Sequence, residues 1–191
     1  MKFSRTLIAA SVALAGLAAL PAHADNSLTF QGVTFATTAL DSDTLQLTIT
    51  GALGATGDWT GITQLAAFEI KDVGAVATAV TGAGVTWTYS DNALSANGCL
   101  NGNSDGGCFT PSANVALTNS LVFDIDFAGP LDGTPPHLKV LFLNVNGTKT
   151  GSLLSQDLPA VPGVPEPGTY ALMFAGLGVV GFMARRRKQQ A

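Results

Sequence analysis

Residues 45–50 and 121–127 alternate between apolar and largely polar side chains, and this alternation is the feature that most restricts the fold. Because successive side chains of a β-strand point to opposite faces, the pattern predicts strands with one buried and one solvated face. An amphipathic helix would instead repeat every three or four residues. With a third run at 138–145, the pattern predicts that the core contains Leu45, Leu47, Ile49, Phe123, Ile125, Val140 and Phe142.

Further strand-like runs lie at 28–37, 62–70 and 85–89, although 65–70 is also compatible with a short helix. The run at 138–145 is apolar on both faces apart from Lys139 and Asn144, which favours a central strand. Asn146-Gly147 follows it and predicts a tight hairpin turn. We therefore expect residues 25–158 to form an all-β domain, an antiparallel β-sandwich of jelly-roll-like type.

The first 24 residues have the order of a secretory signal peptide. Two cations precede an apolar stretch at 7–20, and Ala22-His23-Ala24 forms an A-x-A cleavage site. Cleavage there would leave Asp25 as the new N-terminus. The alternative is a permanent N-terminal anchor, which the short apolar stretch and the well-formed cleavage site disfavour.

The exported body has few cations. Between residues 25 and 160 there are twelve acidic residues against Lys71, Lys139 and Lys149, which gives a net charge of −9. Nucleic acid and anionic lipid both require cationic surface, so the composition argues against either as a partner of the body.

Cys99 and Cys108 are the chain's two cysteines. Export would place them in an oxidising compartment, so the sequence predicts a disulfide between them. A metal pair or a reactive thiol is the alternative, and it is disfavoured because there is no third cysteine and no nearby histidine.

The C-terminal segment has three parts. A proline-rich spacer at 159–167 is followed by an uncharged, mostly apolar run at 168–184, which as a helix would measure roughly 25 Å. The cations Arg185, Arg186, Arg187 and Lys188 come next. This order predicts a short transmembrane helix with residues 185–191 in the cytoplasm and the body outside. A buried core helix is the alternative.

The tail resembles the PEP-CTERM sorting signal through Pro165-Glu166-Pro167, the apolar run and the arginine cluster. The resemblance covers about the last 28 residues. It implies that an exosortase, a multi-spanning membrane protease-transpeptidase of Gram-negative bacteria, reads and processes the tail. It also implies an association with exopolysaccharide and biofilm. In that role the three motif residues are recognised by another enzyme and catalyse nothing themselves.

The loop between the cysteines has the spacing of a calcium loop at Asn101, Asn103 and Asp105. It supplies one carboxylate, and Ser112 stands where a calcium loop has its closing glutamate. A polar hairpin tip explains the same residues, so we expect no metal and no cofactor.

Two further groups have catalytic residue types. Asp124 and Asp126 share one strand face, as a glycosidase carboxylate pair would, although any solvated strand face has the same appearance. His137 is the one histidine left after signal removal, and a Ser-His-Asp arrangement would depend on it. An ordinary surface histidine is the simpler interpretation.

Trp59, Trp87 and Tyr89 are candidates for stacking on sugars, and core packing is the alternative. We expect a non-enzymatic protein, anchored in the inner membrane as a precursor with a periplasmic domain and then delivered to the cell surface. Its expected partners are signal peptidase, an exosortase and exopolysaccharide. The alternatives are a carbohydrate-binding module and, less favoured, a glycoside hydrolase.

Overall fold

The structure, a computed structural model, describes residues 27–102 and 106–161, with the helical positions 173, 174, 176–178, 180, 181 and 185. The predicted signal peptide and its cleavage residues Ala22, Ala24 and Asp25 lie outside these residues. The sorting residues Pro165, Glu166 and Pro167, the cations Arg186, Arg187 and Lys188, and most of the predicted membrane span at 168–184 also lie outside them. In the parts of the chain that are described, no helix combines the length and apolar character needed to cross a membrane.

Strands dominate the described residues. Two short 3₁₀ helices, Ala52–Gly54 and Gly57–Trp59, precede the fourth strand. The strands are β1 (Ser27–Phe30), β2 (Val33–Ala39), β3 (Thr44–Thr50), β4 (Gln64–Lys71), β5 (Ala77–Gly82), β6 (Trp87–Ser90), β7 (Ala93–Ser95), β8 (Gly98–Asn101), β9 (Gly107–Pro111), β10 (Val115–Ala116), β11 (Ser120–Phe127), β12 (His137–Leu143) and β13 (Leu154–Asp157).

The strands form two large sheets and a hairpin. The first sheet has the order β1-β2-β3-β11-β5, and the second has the order β13-β12-β4-β9-β6 with β10 also paired to β4. Strands β7 and β8 pair with each other. The pairings are antiparallel throughout, from β1 with β2 to β12 with β13. The prediction of an all-β, antiparallel fold is confirmed, and the ambiguous run at 65–70 lies in β4.

The alternation in the sequence determines which face of each strand is buried. In β3 and β11 the odd-numbered apolar residues are buried, while the residues between them are half-buried or exposed. All seven predicted core residues are at most 2% exposed, which confirms the predicted core. The two sheets share this core, because the ring centroids of Phe123 in β11 and Phe68 in β4 are 5.4 Å apart.

The run at 28–37 was predicted as one strand, and this is wrong. Gln31 and Gly32 have φ angles of 48° and 81°, and they form a two-residue turn between β1 and β2. Positive φ at both central residues is what a tight hairpin of right-handed twist requires.

The hairpin predicted at Asn146-Gly147 is confirmed. The Asn144 N–H donates to the Thr148 carbonyl over 2.9 Å, and Gly147 has a φ of 71°. This turn returns the chain from β12 toward β13, which then pairs with β12 along the edge of the second sheet.

The β7–β8 hairpin covers part of the outer face of the second sheet. Leu94 and Cys99 of the hairpin pack with Ala67, Cys108 and Leu141 in a second, smaller apolar cluster. This cover explains why the sequence of β12 is apolar on both faces. One face of the strand lies in the main core and the other lies beneath the hairpin.

Thr37 of β2 is a polar residue inside the main core. Its side chain is 1% exposed, and its Oγ1 has no hydrogen-bond partner in the described structure. Burying a hydroxyl without a partner costs roughly 1–3 kcal/mol. Thr37→Val, which keeps the side-chain shape, should therefore raise the free energy of unfolding by about 1 kcal/mol or more.

The measurement is urea-induced unfolding of the full chain in detergent, followed by the fluorescence of Trp59 and Trp87. Thr48→Val, on the half-exposed face of β3, is the matched control and should change the free energy by less than about 0.5 kcal/mol. Equal effects of the two substitutions would mean that the Thr37 hydroxyl has a partner.

Candidate functional site

The body of the protein continues beyond its last strand. Leu158 and Val161 are 1% and 6% exposed, and the Leu158 N–H donates to the Pro136 carbonyl over 2.8 Å. Val161 lines a cavity of about 90 Å³ together with Leu131 and Pro136. Packing therefore reaches three residues past position 158, where the predicted domain ends, and takes in the start of the predicted spacer.

Three loops surround the point where the chain leaves the body. The Leu131 N–H donates to the Ser42 carbonyl over 2.8 Å, and the Asp132 N–H donates to the Val73 carbonyl over 3.0 Å. These bonds join the loops at 40–43, 72–76 and 128–136. We call these three loops, with residues 157–161, the exit end of the body.

The exit end is strongly acidic. Hydrogen bonds from the backbone of Asp43 and from Thr44 lower the pKa of Asp41, while the hydrogen bond with Asp41 raises the pKa of Asp43. Hydrogen bonds from the Thr134 hydroxyl and N–H lower the pKa of Asp132. The acidic residues of the exit end and the adjoining strand ends are Asp41, Asp43, Asp72, Asp126, Asp132 and Asp157.

The predicted disulfide is present. Cys99 of β8 and Cys108 of β9 are bonded, with their Cα atoms 5.7 Å apart. The bond fastens the β7–β8 hairpin to the second sheet through the small apolar cluster. Of the weak calcium candidates, Asn103 and Asp105 lie outside the described residues, and Asn101 ends β8. The described residues contain no group of three or more acidic, histidine or cysteine side chains arranged to hold a metal ion.

A buried ion pair holds the same hairpin. Glu69 of β4 is 0% exposed, and its Oε2 accepts hydrogen bonds from Lys139 Nζ at 3.1 Å and from the Leu94 N–H at 2.5 Å. Lys139 lies directly opposite Glu69 on β12. The sequence marks Lys139 as a charge inside an apolar run, but only the strand register identifies its partner.

His137 contacts two polar side chains of the edge strand. Its Nδ1 lies 2.5 Å from Asp157 Oδ1, and its Nε2 lies 3.0 Å from Ser155 Oγ. Ser155, His137 and Asp157 are thus connected in the order of the nucleophile, base and acid of a Ser-His-Asp triad. However, Asp157 is 74% exposed, and solvent screens an ion pair of this kind to roughly 0–1 kcal/mol. The clear structural effect is to hold β13 against β12.

The acidic pair of β11 lies on the outer face of the first sheet, as predicted. Asp124 Oδ1 accepts a hydrogen bond from Gln46 Nε2 at 2.9 Å, and Asp126 Oδ1 accepts one from Thr44 Oγ1 at 3.3 Å. Neutral donors of the neighbouring strand thus orient both carboxylates. This arrangement is that of a solvated strand face.

The aromatic candidates do not form a sugar-stacking platform. Trp59 is 0% exposed and donates its Nε1–H to the Ser152 carbonyl. The prediction that Trp59 contacts a sugar at the surface is therefore wrong. Its ring packs in the main core, 5.1 Å from Phe142 between centroids. Trp87 is half-buried, and its ring lies 5.2 Å from Phe68 between centroids. Of these three candidates, Tyr89 has the accessible ring, since it is 39% exposed.

The Glu69 ion pair yields a stability prediction. Glu69→Ala leaves Lys139 without this countercharge and the Leu94 N–H without its acceptor, so it should lower the free energy of unfolding by about 3–5 kcal/mol. Asp58→Ala, at an exposed carboxylate, is the control and should change it by less than about 0.5 kcal/mol. Urea unfolding of the disulfide-bonded chain measures both, and a cost below about 1 kcal/mol for Glu69→Ala would contradict the role given to the pair.

Comparison with known proteins identifies the tail. Residues 163–188 match the family model of the PEP-CTERM protein-sorting motif. No curated protein and no solved structure matches the chain. The segment that leaves the exit end therefore carries a PEP-CTERM sorting motif, as the sequence predicts, and the match begins two residues after the buried Val161.

Proposed function

We propose that this chain is a non-enzymatic surface protein whose body is a β-sandwich and whose tail is removed by an exosortase. The sorting motif at 163–188 carries the proposal, since it implies export, membrane anchoring before processing, and an exosortase as the processing enzyme. The predicted signal peptide at 1–24 would direct export of the body, and the predicted membrane helix at 168–184 would anchor the precursor until it is processed.

The disulfide supports the same compartment. Cytosolic thiols are kept reduced, whereas a bond such as Cys99–Cys108 persists in the periplasm and outside the cell. The bond also fixes the hairpin that covers the second sheet. A protein exported by this route would reach the cell surface with the disulfide formed and the β7–β8 hairpin held against the second sheet.

Processing of the tail is the first test. In a host with an exosortase, the mature protein should lack the basic segment from Arg185 to Lys188. Glu166→Ala should cause the anchored precursor to accumulate, because the motif residues are what the enzyme reads. Mass spectrometry of the mature C-terminus, with and without the exosortase, is the measurement. An intact C-terminus in the presence of an active exosortase would defeat the proposal.

An association with exopolysaccharide is supported by the outer face of the first sheet. The strand register aligns Thr29, Thr34, Thr50 and Ser120 in a row across β1, β2, β3 and β11. Neighbouring strands lie about 4.8 Å apart, so the row presents hydroxyls at that spacing. The Thr29 and Thr34 hydroxyls are hydrogen-bonded over 2.8 Å. A neutral row of donors and acceptors suits a hydroxyl-rich polymer.

A charge in this row should prevent such contact. We expect Thr50→Lys to reduce sedimentation of the protein with the host's isolated exopolysaccharide at least fivefold, since an ammonium group would displace the matched hydroxyl. Tyr89→Ala tests the alternative of a carbohydrate-binding module that uses the accessible ring. Retention of binding in Thr50→Lys and its loss in Tyr89→Ala would favour the carbohydrate-binding module. Retention of binding in both variants would contradict contact between the first sheet and exopolysaccharide.

A further inference from the structure

The sorting motif is joined to the folded body by a very short segment. Val161 is buried at the exit end, where it lines the cavity, and Pro165 follows four residues later. Four residues span at most about 14 Å when fully extended. The motif therefore stays within that distance of the body for as long as Val161 remains packed.

This distance leaves room for little more than one layer of protein. An α-helix with its side chains is about 10–12 Å across. An enzyme that grips Pro165, Glu166 and Pro167 must place its own groups in this gap, or beside it. Its surface then meets the exit end of the folded body at the same time as it reads the motif.

The charge of the exit end indicates the chemistry of that surface. Asp41, Asp43 and Asp132 are exposed there, and in the described part of the chain the cation Lys71 lies at the end of β4 on the same side. At the opposite end of the strands, Asp58 and Lys149 are of opposite sign. The acidic end thus coincides with the side from which the tail leaves, and it complements a cationic surface.

We propose that the exit end is a docking surface for a cationic, water-exposed surface of the membrane enzyme that processes the tail, with buried Val161 setting the spacing. This inference rests on the proposed function. The enzyme would recognise the motif and the folded body together. Processing would then depend on the charge of loops that are distant from the motif in sequence.

The test compares two charge changes of equal size in the full chain, expressed in membranes that contain the exosortase. Asp41→Asn with Asp132→Asn removes two of the negative charges of the exit end, and asparagine retains the acceptor oxygens that order these loops. Asp58→Asn with Asp124→Asn is the matched control away from the exit end. Loss of the basic segment is followed over time, and equal urea midpoints show that both variants are folded.

We expect the exit-end variant to be processed about five- to tenfold more slowly than the control, with a difference that shrinks as salt is raised. An eight-residue Gly-Ser insertion after Pro162 extends the reach to roughly 40 Å and should abolish the difference. Equal rates for the two variants at the native spacing would overturn the inference.

Other occupants of the exit end give distinct results. If the exit-end variant also changed binding to enzyme-free lipid vesicles, the surface would face lipid and the inference would be wrong. A difference in rate that grew with the concentration of the chain would assign the surface to a second copy, which overturns it as well. Absence of processing in the unaltered chain would instead defeat the proposed function itself.

Discussion

The contact among Phe68, Trp87 and Phe123 is the interaction on which the rest of the structure depends. These rings come from β4, β6 and β11, and each pair of centroids is separated by 5.2–5.4 Å. They join the second sheet to the first. Burial of aromatic rings contributes more apolar area per residue than any other side chain, so this contact sets where the two sheets meet. The same packing accounts for the half-burial of Trp87.

Strand alternation could be predicted where the register is regular, as in β3 and β11. It fails at β5 for a physical reason. The pairing of β5 with β11 shifts at Asp126 and Phe127, and the buried residues of β5 are therefore Ala77 and Val80, three positions apart. A period of two is lost at such an irregularity. Alanine, threonine and glycine make up five of the six residues of this strand, so apart from Val80 its sequence lacks the larger apolar residues that mark an interior face.

The sequence contains a signal for the turn between β1 and β2, which the prediction of one strand at 28–37 does not take into account. In β1 the residues facing the core are Leu28 and Phe30, and in β2 they are Val33 and Phe35. Apolar positions pass from even to odd numbers across Gln31 and Gly32. Such a change of parity is what a two-residue turn produces when both strands keep one face inward. By contrast, β13 carries mostly polar side chains, so nothing in its own sequence separates it from a loop.

The sorting motif could be predicted in full from the sequence because its parts are contiguous, whereas the exit end could not. The acidic residues of that end come from three loops and from the end of β13, and only the strand order brings these segments together. The same holds for Glu69 and Lys139, which are 70 residues apart in sequence and directly opposite in the sheet. Chemistry that depends on register is invisible until the pairing of strands is known.

The burial of Val161 links the folded state of the body to the geometry of the tail. A sorting signal on a long linker would be read in the same way whether or not the preceding domain had folded, since the linker would separate the two. Here the bond from Leu158 to Pro136 and the packing of Val161 exist only in the folded body. Their loss would release the chain from β13 onward and remove the 14 Å limit on the motif. Folding of the body therefore sets the maximum distance between the body and the motif. The last four residues of the body, 158–161, pack against the core through Leu158 and Val161 and at the same time fix the point from which the tail starts.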